Sequence, residues 1–153
     1  MATMESILAN LDPSSFEVYA FWCSLLALKM LGLGLLTSIT RIRKRVYVSR
    51  EDATFMNAKW KRQFDPHVER VRRAHRNDLE NLLPFFLLAF LYLLTGPEPA
   101  IATRLIRWAS ISRIIHSIVY GCFPVPQPAR LLSYAVTQLV MAYMSYRCLM
   151  FFS

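Results

Sequence analysis

Cysteine and negative charge are both scarce in this chain. Its three cysteines, Cys23, Cys122 and Cys148, are odd in number, far apart, and set in or beside apolar segments. They form no C-x-x-C pair and have no His at metal-ligand spacing, which argues against a disulfide framework or a metal site and leaves them as reduced packing residues. No metal is called for elsewhere either. Ten acidic residues face eighteen Lys and Arg among 153 residues, a formal net charge of +8. Lys and Arg are missing from Met1 to Asp12, so the basic n-region of a cleaved signal peptide is lacking and the first apolar segment is expected to be retained. Internal repeats, low-complexity tracts and a second domain are absent too.

What is abundant is apolar. Hydrophobic residues make up 55% of the chain and the mean hydropathy is +0.31. A basic soluble domain of this size is rarely so apolar, whereas a small helical membrane protein combines apolar spans with basic loops. Nucleic-acid binding therefore becomes the minor reading of the charge.

The pattern predicts an all-α, integral membrane, up-and-down four-helix bundle in a single domain, 1–153, with spans near 16–40, 77–95, 100–121 and 129–152 and a cytosolic loop over 41–65. Asp12 or Ser14 caps the first helix with Pro13 in its first turn, and about 25 apolar residues suffice to cross the hydrocarbon. Lys29 sits in the middle of that span. Arg41, Arg43, Lys44, Arg45, Arg50, Lys59, Lys61 and Arg62 stand against only Glu51 and Asp52 in the following loop, which the positive-inside rule places in the cytosol, with both termini lumenal. Asp65 and Pro66 begin the second helix and Gly96-Pro97 ends it; Pro99 begins the third. The third carries Arg104, Arg107, Arg113 and His116, so it cannot face lipid all round. A stiff linker, Phe123 to Pro128, returns the chain to the fourth.

The most informative stretch is Glu69 to Glu80, a charged helix driving into the apolar segment from Asn81 to Leu94. Arg73, Asn77 and Glu80 recur at i, i+4 and i+7, with Arg76 one turn before Glu80. Pro84, lacking the N–H that would bond the Glu80 carbonyl, predicts a kink beside the acid. By depth, Arg41, Arg73, Arg76, Asn77, Glu80, His116, Tyr120, Arg130 and Tyr134 share one slab near the cytosolic interface. Such groups suit a small ligand with two carboxylates, an ammonium and several amides, an inventory that glutathione has.

Several of these residues also have purely structural roles open to them. Arg113 reads as a buried partner of Asp78, and Lys29 as structural, paired with Glu80 or a backbone carbonyl. His116 taken alone reads as an interhelical hydrogen-bonding group. Tyr134 suits a thiol donor and an interfacial belt equally, while His67 and His75 read as solvated.

Glu51-Asp52, the block Val68 to Glu80 with Pro84 and Phe85, Tyr92 with Gly96-Pro97, Arg113-x-x-His116-x-x-x-Tyr120, and Pro128-x-Arg130 with Tyr134 recur in order over almost the whole chain. Through them the sequence resembles the membrane-associated proteins in eicosanoid and glutathione metabolism, and within that family the branch of microsomal glutathione transferases and prostaglandin E synthases. The resemblance implies a homotrimer in the endoplasmic reticulum or outer mitochondrial membrane, with glutathione bound near the cytosolic face between subunits. It implies glutathione contacts at the nine slab residues, thiolate stabilisation by Arg130 assisted by Tyr134, and a role for Asp52. Two departures stand out. Leu131 replaces the serine of the prostaglandin synthase, and Ala53 occupies the position of the transferase's reactive cysteine.

Three functions follow as expectations: a glutathione transferase and peroxidase for hydrophobic electrophiles and lipid hydroperoxides, a glutathione-dependent prostaglandin endoperoxide isomerase, or a non-catalytic lipid-presenting membrane protein. The topology is directly testable. In sealed microsomes, protease or an impermeant label applied outside is expected to reach Arg41 to Gln63 while Met1 and Ser153 stay protected; labelling of both termini from outside would invert the bundle.

Overall fold

A computed structural model describes residues 4–60, 64–122 and 128–153; Lys61 to Gln63 and the linker from Phe123 to Gln127 lie outside them. Among the described residues the chain is all-helical: α1 (Met4–Ala9), α2 (Pro13–Lys44), α3 (Arg50–Phe55), α4 (Pro66–Leu94), α5 (Pro99–Ser117) and α6 (Ala129–Phe152), with a π-helical turn at Ile118–Cys122 extending α5.

The helix ends are set by local chemistry. Asp12 caps α2, its carboxylate accepting the Ser15 N–H at 2.8 Å and the hydroxyls of Ser14 and Ser15, with Pro13 in the first turn. At the other end Arg45 turns left-handed, φ 54°, and returns its N–H to the carbonyls of Arg41 and Ile42. Asp65 caps α4 through the N–H groups of His67 at 2.8 Å and Val68 at 3.1 Å. Gly96, at φ 67°, stops α4, and Pro99 opens α5. The Asp12–Pro13, Asp65–Pro66, Gly96 and Pro99 signals mark helix ends as expected, whereas α2 continues to Lys44, past residue 40 and into the stretch read as irregular. Neither α1 nor α3 was expected: α3, capped by the Ser49 hydroxyl at 3.1 Å from the Asp52 N–H, stands inside the loop read as irregular. α4 runs unbroken through Pro84.

Four helices of 19 residues or more pack together. α2 lies against α4 and α5, and α6 against α5 and α4, so α2 and α6 take opposite corners. Leu26, Leu82, Phe85, Tyr92, Ile106 and Met144 fill the centre, with Ala89, Ala102 and Ala109 allowing close approach. Cys148 belongs to this core, and it and Cys23 are free thiols. Polar ties cross the same interfaces: Tyr19 Oη donates to the Phe86 carbonyl at 3.1 Å, Ser112 and Thr137 meet at 2.7 Å, and Gln138 Nε2 donates to Asn81 Oδ1 at 2.5 Å.

Outside, the bundle is oily. Phe21, Leu28, Leu31 and Leu35 on α2, and Leu132, Leu139 and Leu149 on α6, are each more than half exposed. A surface of that kind signals a membrane or a partner rather than water. Among the described residues, α2 and α4 are long and apolar enough to cross a membrane. α5, with Arg104, Arg107 and Arg113, and α6, with Gln138, Arg147 and its hydroxyl side chains, are not apolar enough by composition alone.

Asp65 gives the fold a pH-sensitive point. The Val68 N–H, with that of His67, holds its carboxyl below the ordinary aspartate value of 3.8. Because the folded pKa is depressed, the cap is fully present above 3.8 and is lost as pH falls through the folded value. Hydrogen-exchange protection at His67 and Val68 is expected to fall in that acid range, and Asp65→Asn, whose amide oxygen still accepts without titrating, is expected to remove the step.

Candidate functional site

α4 carries two chemically distinct faces. At 100° per residue, Asp78 points with Val71, Ala74, Asn81 and Leu82 toward the bundle, whereas Arg73, Arg76 and Glu80 cluster on the exposed side. Asn77 lies at the boundary, half-buried.

On the inner face, Asp78 is fully buried between two cations. Arg113 Nη2 donates to Asp78 Oδ1 at 2.5 Å, and Lys29 Nζ lies 2.7 Å from Oδ2. Lys29 also donates to the Arg113 carbonyl at 3.1 Å and the Ser117 hydroxyl at 2.7 Å, and the Ser117 hydroxyl sits 3.0 Å from Asp78 Oδ2. The expected Arg113–Asp78 pair is there. Lys29 finds a backbone carbonyl, as expected, but its acidic partner is Asp78 rather than Glu80, which lies about 200° round the helix and pairs with Arg76 at 2.8 Å. The cluster opens toward the surface at one point: Arg113 Nη2 also donates to Asn77 Oδ1 at 2.8 Å.

Asn77 is one wall of a pocket of about 230 Å³ whose other walls are His116, Tyr120, Arg130, Leu131 and Tyr134. α4, α5, the π turn and α6 thus each place side chains in it. The π turn brings Tyr120 into this pocket, and its Gly121 faces Ala74 of α4, where an added Cβ would stand in ordinary contact at 3.4 Å. His116 Nδ1 lies 3.3 Å from the Arg130 carbonyl and 3.3 Å from Ser133 Oγ. A carbonyl only accepts, so Nδ1 carries the proton and Nε2 offers a lone pair. The His116 ring meets Tyr120 edge-on at 5.7 Å and Tyr134 at 6.4 Å. Arg130 stacks its guanidinium over Tyr120, 5.0 Å from the ring centroid. Two buried polar atoms here, His116 Nε2 and Arg130 Nε, have no partner among the described residues. An orphaned donor and an orphaned acceptor in one pocket are what a polar ligand would satisfy.

The remaining candidates lie apart. Arg41 and Asp52 line another pocket, of about 270 Å³, with Ile42, Val46, Tyr47 and Phe55, and Arg41 borders a further one of about 540 Å³ with Tyr47, Trp60, Glu69 and Arg72. Arg41 therefore stands level with the first turns of α4, above Asn77. Arg73, Arg76 and Glu80 line none of these pockets. His67 is exposed, as read; His75 is half-buried and packs near Gly34 of α2, 3.5 Å from where a Cβ would stand. Sequence reasoning missed Ser133, Ser117 and the π turn. The hydroxyl residues sit one helical turn from Arg130 and Arg113, and Gly121 inside a helical run marked the turn.

Residues 19–150 match the MAPEG family. Microsomal glutathione S-transferase 1 of Homo sapiens is 38% identical over 143 residues, covering 91% of this chain and 92% of that protein. The Bos taurus protein of the same name is 36% identical over 153 residues, 97% of this chain and 96% of its own. Prostaglandin E synthase of Canis lupus familiaris is 32% identical over 139 residues, 91% and 90% respectively. The chain is a helical membrane protein of the kind that α2, α4 and the oily exterior describe. It belongs to the MAPEG family.

Removing the one acid from the buried cluster isolates two cations. Asp78→Asn is expected to lower stability by about 3 to 5 kcal/mol, the cost of leaving buried charge uncompensated. Thermal unfolding in detergent reads it, and an unchanged midpoint would show that Lys29 and Arg113 do not depend on Asp78.

Proposed function

We propose that this chain is a membrane-bound glutathione transferase that joins the glutathione thiolate to hydrophobic electrophiles and uses glutathione to reduce lipid hydroperoxides. The observation that carries this reading is the His116–Tyr120–Arg130–Tyr134 pocket with its unpartnered Arg130 Nε and His116 Nε2, in a chain whose relatives include proteins named microsomal glutathione S-transferase 1. A lipid-presenting scaffold has no need to gather an arginine, an imidazole, an amide and two phenols round one pocket.

A free thiol, pKa near 8.5, is only a few per cent thiolate at neutral pH, and lowering that value by about two units takes about 2.7 kcal/mol of differential stabilisation. A charge-assisted bond from one guanidinium in a poorly hydrated site has that magnitude. Arg130 is the residue proposed to supply it, held over the Tyr120 ring. Tyr134, about one-third exposed, stands beside it as a hydrogen-bond donor to the same sulfur. Asn77 and His116 hold peptide groups; Arg73, Arg76 and Glu80 on the open face of α4 take carboxylates and the ammonium.

The cavity also bears on assembly. At about 230 Å³ it falls below the roughly 300 Å³ from which small-molecule sites usually start. Arg41 and Asp52 are in a separate pocket and the Arg73 face is open. One subunit thus presents pieces of a site, which supports a homotrimer of four-helix, up-and-down subunits with glutathione between neighbours. Orientation with the 41–65 loop in the cytosol, and residence in the endoplasmic reticulum or outer mitochondrial membrane, complete the proposal. A cytosolic cofactor and a bilayer-borne acceptor meet at such a level.

A second reading, a glutathione-dependent prostaglandin endoperoxide isomerase, has support from the relatives named prostaglandin E synthase. Leu131 on the pocket wall weighs against it, being apolar where that branch carries a serine. Ala53 bears on regulation instead: it is buried on α3 and has no thiol, so the transferase would lack a cysteine trigger there. Detergent-purified protein assayed with glutathione plus a chloronitrobenzene, a lipid hydroperoxide or a prostaglandin endoperoxide separates the readings.

Arg130→Leu tests the chemistry. It is expected to bind glutathione within a few-fold, while the bound thiolate, followed by ultraviolet absorbance, forms only near the free-thiol pKa of about 8.5. Activity at neutral pH should drop about tenfold per pKa unit lost and partly recover as pH rises. Weakened affinity with an unaltered thiolate titration would make Arg130 a carboxylate anchor and pass its role to Tyr134 or Tyr120.

A further inference from the structure

We infer that Arg113, which lines none of the pockets described above, is a positioning residue for the ligand acting through Asn77: it fixes the Asn77 amide with both N–H bonds turned outward, so that this wall donates to an acceptor on an anionic thiol peptide. The inference rests on the glutathione reading of the same pocket.

An asparagine amide has two nearly isosteric ends, and a free one flips between them. A guanidinium has no acceptor, so the 2.8 Å contact with Arg113 Nη2 assigns the near end as Oδ1 and leaves Nδ2 for the pocket. The same nitrogen also donates to Asp78 Oδ1 at 2.5 Å, so both of its hydrogens are committed to neighbouring residues of α4. Asp78 in turn cannot rotate, because Lys29 and Ser117 hold its other oxygen. Lys29 has three ammonium hydrogens and three acceptors within 3.1 Å, so it is saturated as well. A fixed chain therefore runs from α2 through α4 to α5 and ends on Asn77. Arg113 and Asp78 are fully buried, and solvent does not compete for these bonds.

The cluster is formally +1, two cations sharing one carboxylate, and it lies directly behind Asn77. The oriented amide and the surplus charge act in the same sense, favouring an acceptor or an anion. Together with the Arg130 guanidinium and the phenols of Tyr120 and Tyr134, the pocket becomes rich in donors, with His116 Nε2 as its one imidazole acceptor.

The test is a binding cycle by calorimetry on the intact protein in detergent, with glutathione as titrant, comparing wild type, Arg113→Lys, Asn77→Ala and the double variant. Lysine keeps a cation opposite Asp78, but its stem is one bond shorter and its ammonium is tetrahedral, so it does not put a planar NH2 group between Asn77 Oδ1 and Asp78 Oδ1 as Arg113 Nη2 does. Arg113→Lys is expected to raise Kd about tenfold in the wild-type background and less than about twofold when Asn77 is already Ala. A purely structural arginine would instead add its penalty in both backgrounds. Asn77→Asp serves where Arg113→Lys does not fold: it keeps an acceptor for Arg113 but has no donor, so it is expected to melt no lower than wild type and yet bind more weakly than Asn77→Ala. A flat wild-type titration overturns the glutathione reading and this inference with it. Wild-type binding with an unchanged Arg113→Lys, multiplied penalties, or Asn77→Asp binding like wild type overturns the positioning role alone.

Discussion

Asp78, closed between Lys29 and Arg113, is the interaction on which the rest of the bundle depends. α2 and α4 can press their apolar faces together only if Lys29 has a carboxylate to meet, and α5 can carry Arg113 fully buried only if the same carboxylate is shared. Burying three charges is costly in desolvation, and replacing such clusters by apolar side chains is often neutral or stabilising in other proteins. What the cluster supplies beyond stability is registry. It accepts one vertical placement of α5 against α4, and that placement sets His116 and Tyr120 level with Asn77.

From that level the pocket follows by short steps. His116 donates from Nδ1 to the Arg130 carbonyl, which ties the start of α6 to the end of α5. The chain of α5 passes into the π turn at Ile118–Cys122, and Tyr120 there comes under the Arg130 guanidinium. A π turn of this kind is frequent at functional sites because it re-aims side chains without ending the helix. The pocket's donors are thus arranged by backbone and by buried charge before any ligand arrives, and preorganised charge is the form of stabilisation that favours a developing anion most.

Much of the fold was legible because its signals are local. Asp12-Pro13, Asp65-Pro66, Gly96-Pro97 and Pro99 are each a cap or stop whose meaning does not depend on what lies across the bundle. The Arg113–Asp78 pair was legible for another reason: a guanidinium in mid-span must find an acid, and few acids stand near its depth. Lys29 was half legible, since depth alone left Glu80 as a candidate and helix phase removes it in favour of Asp78. The π turn and Ser133 left only weak signals, Gly121 in a helical run and a hydroxyl one turn after Arg130, because their roles depend on how closely α5, α6 and α4 approach. α3 hid in a basic run whose composition says only that it is solvated. Its Ser49 cap three residues before Asp52 was the signal.

The shared-depth argument gathered nine residues into one slab, and within the single chain they fall in three places: the Asn77 pocket, the Arg41 pocket, and the open face with Arg73, Arg76 and Glu80. Depth is one coordinate; position round the bundle is the other, and sequence periodicity fixes it only relative to each helix. Arg76 and Glu80 pair with each other at 2.8 Å while mostly exposed, a contact worth little in water. Against a bilayer-level neighbour the same two charges would need partners, since low dielectric makes unpaired charge expensive. An acid and two cations held outward on an oily helix are therefore consistent with a surface built for a ligand or a second copy, and they flank Asn77, whose pocket has two wall residues with buried polar atoms unpartnered among the described residues.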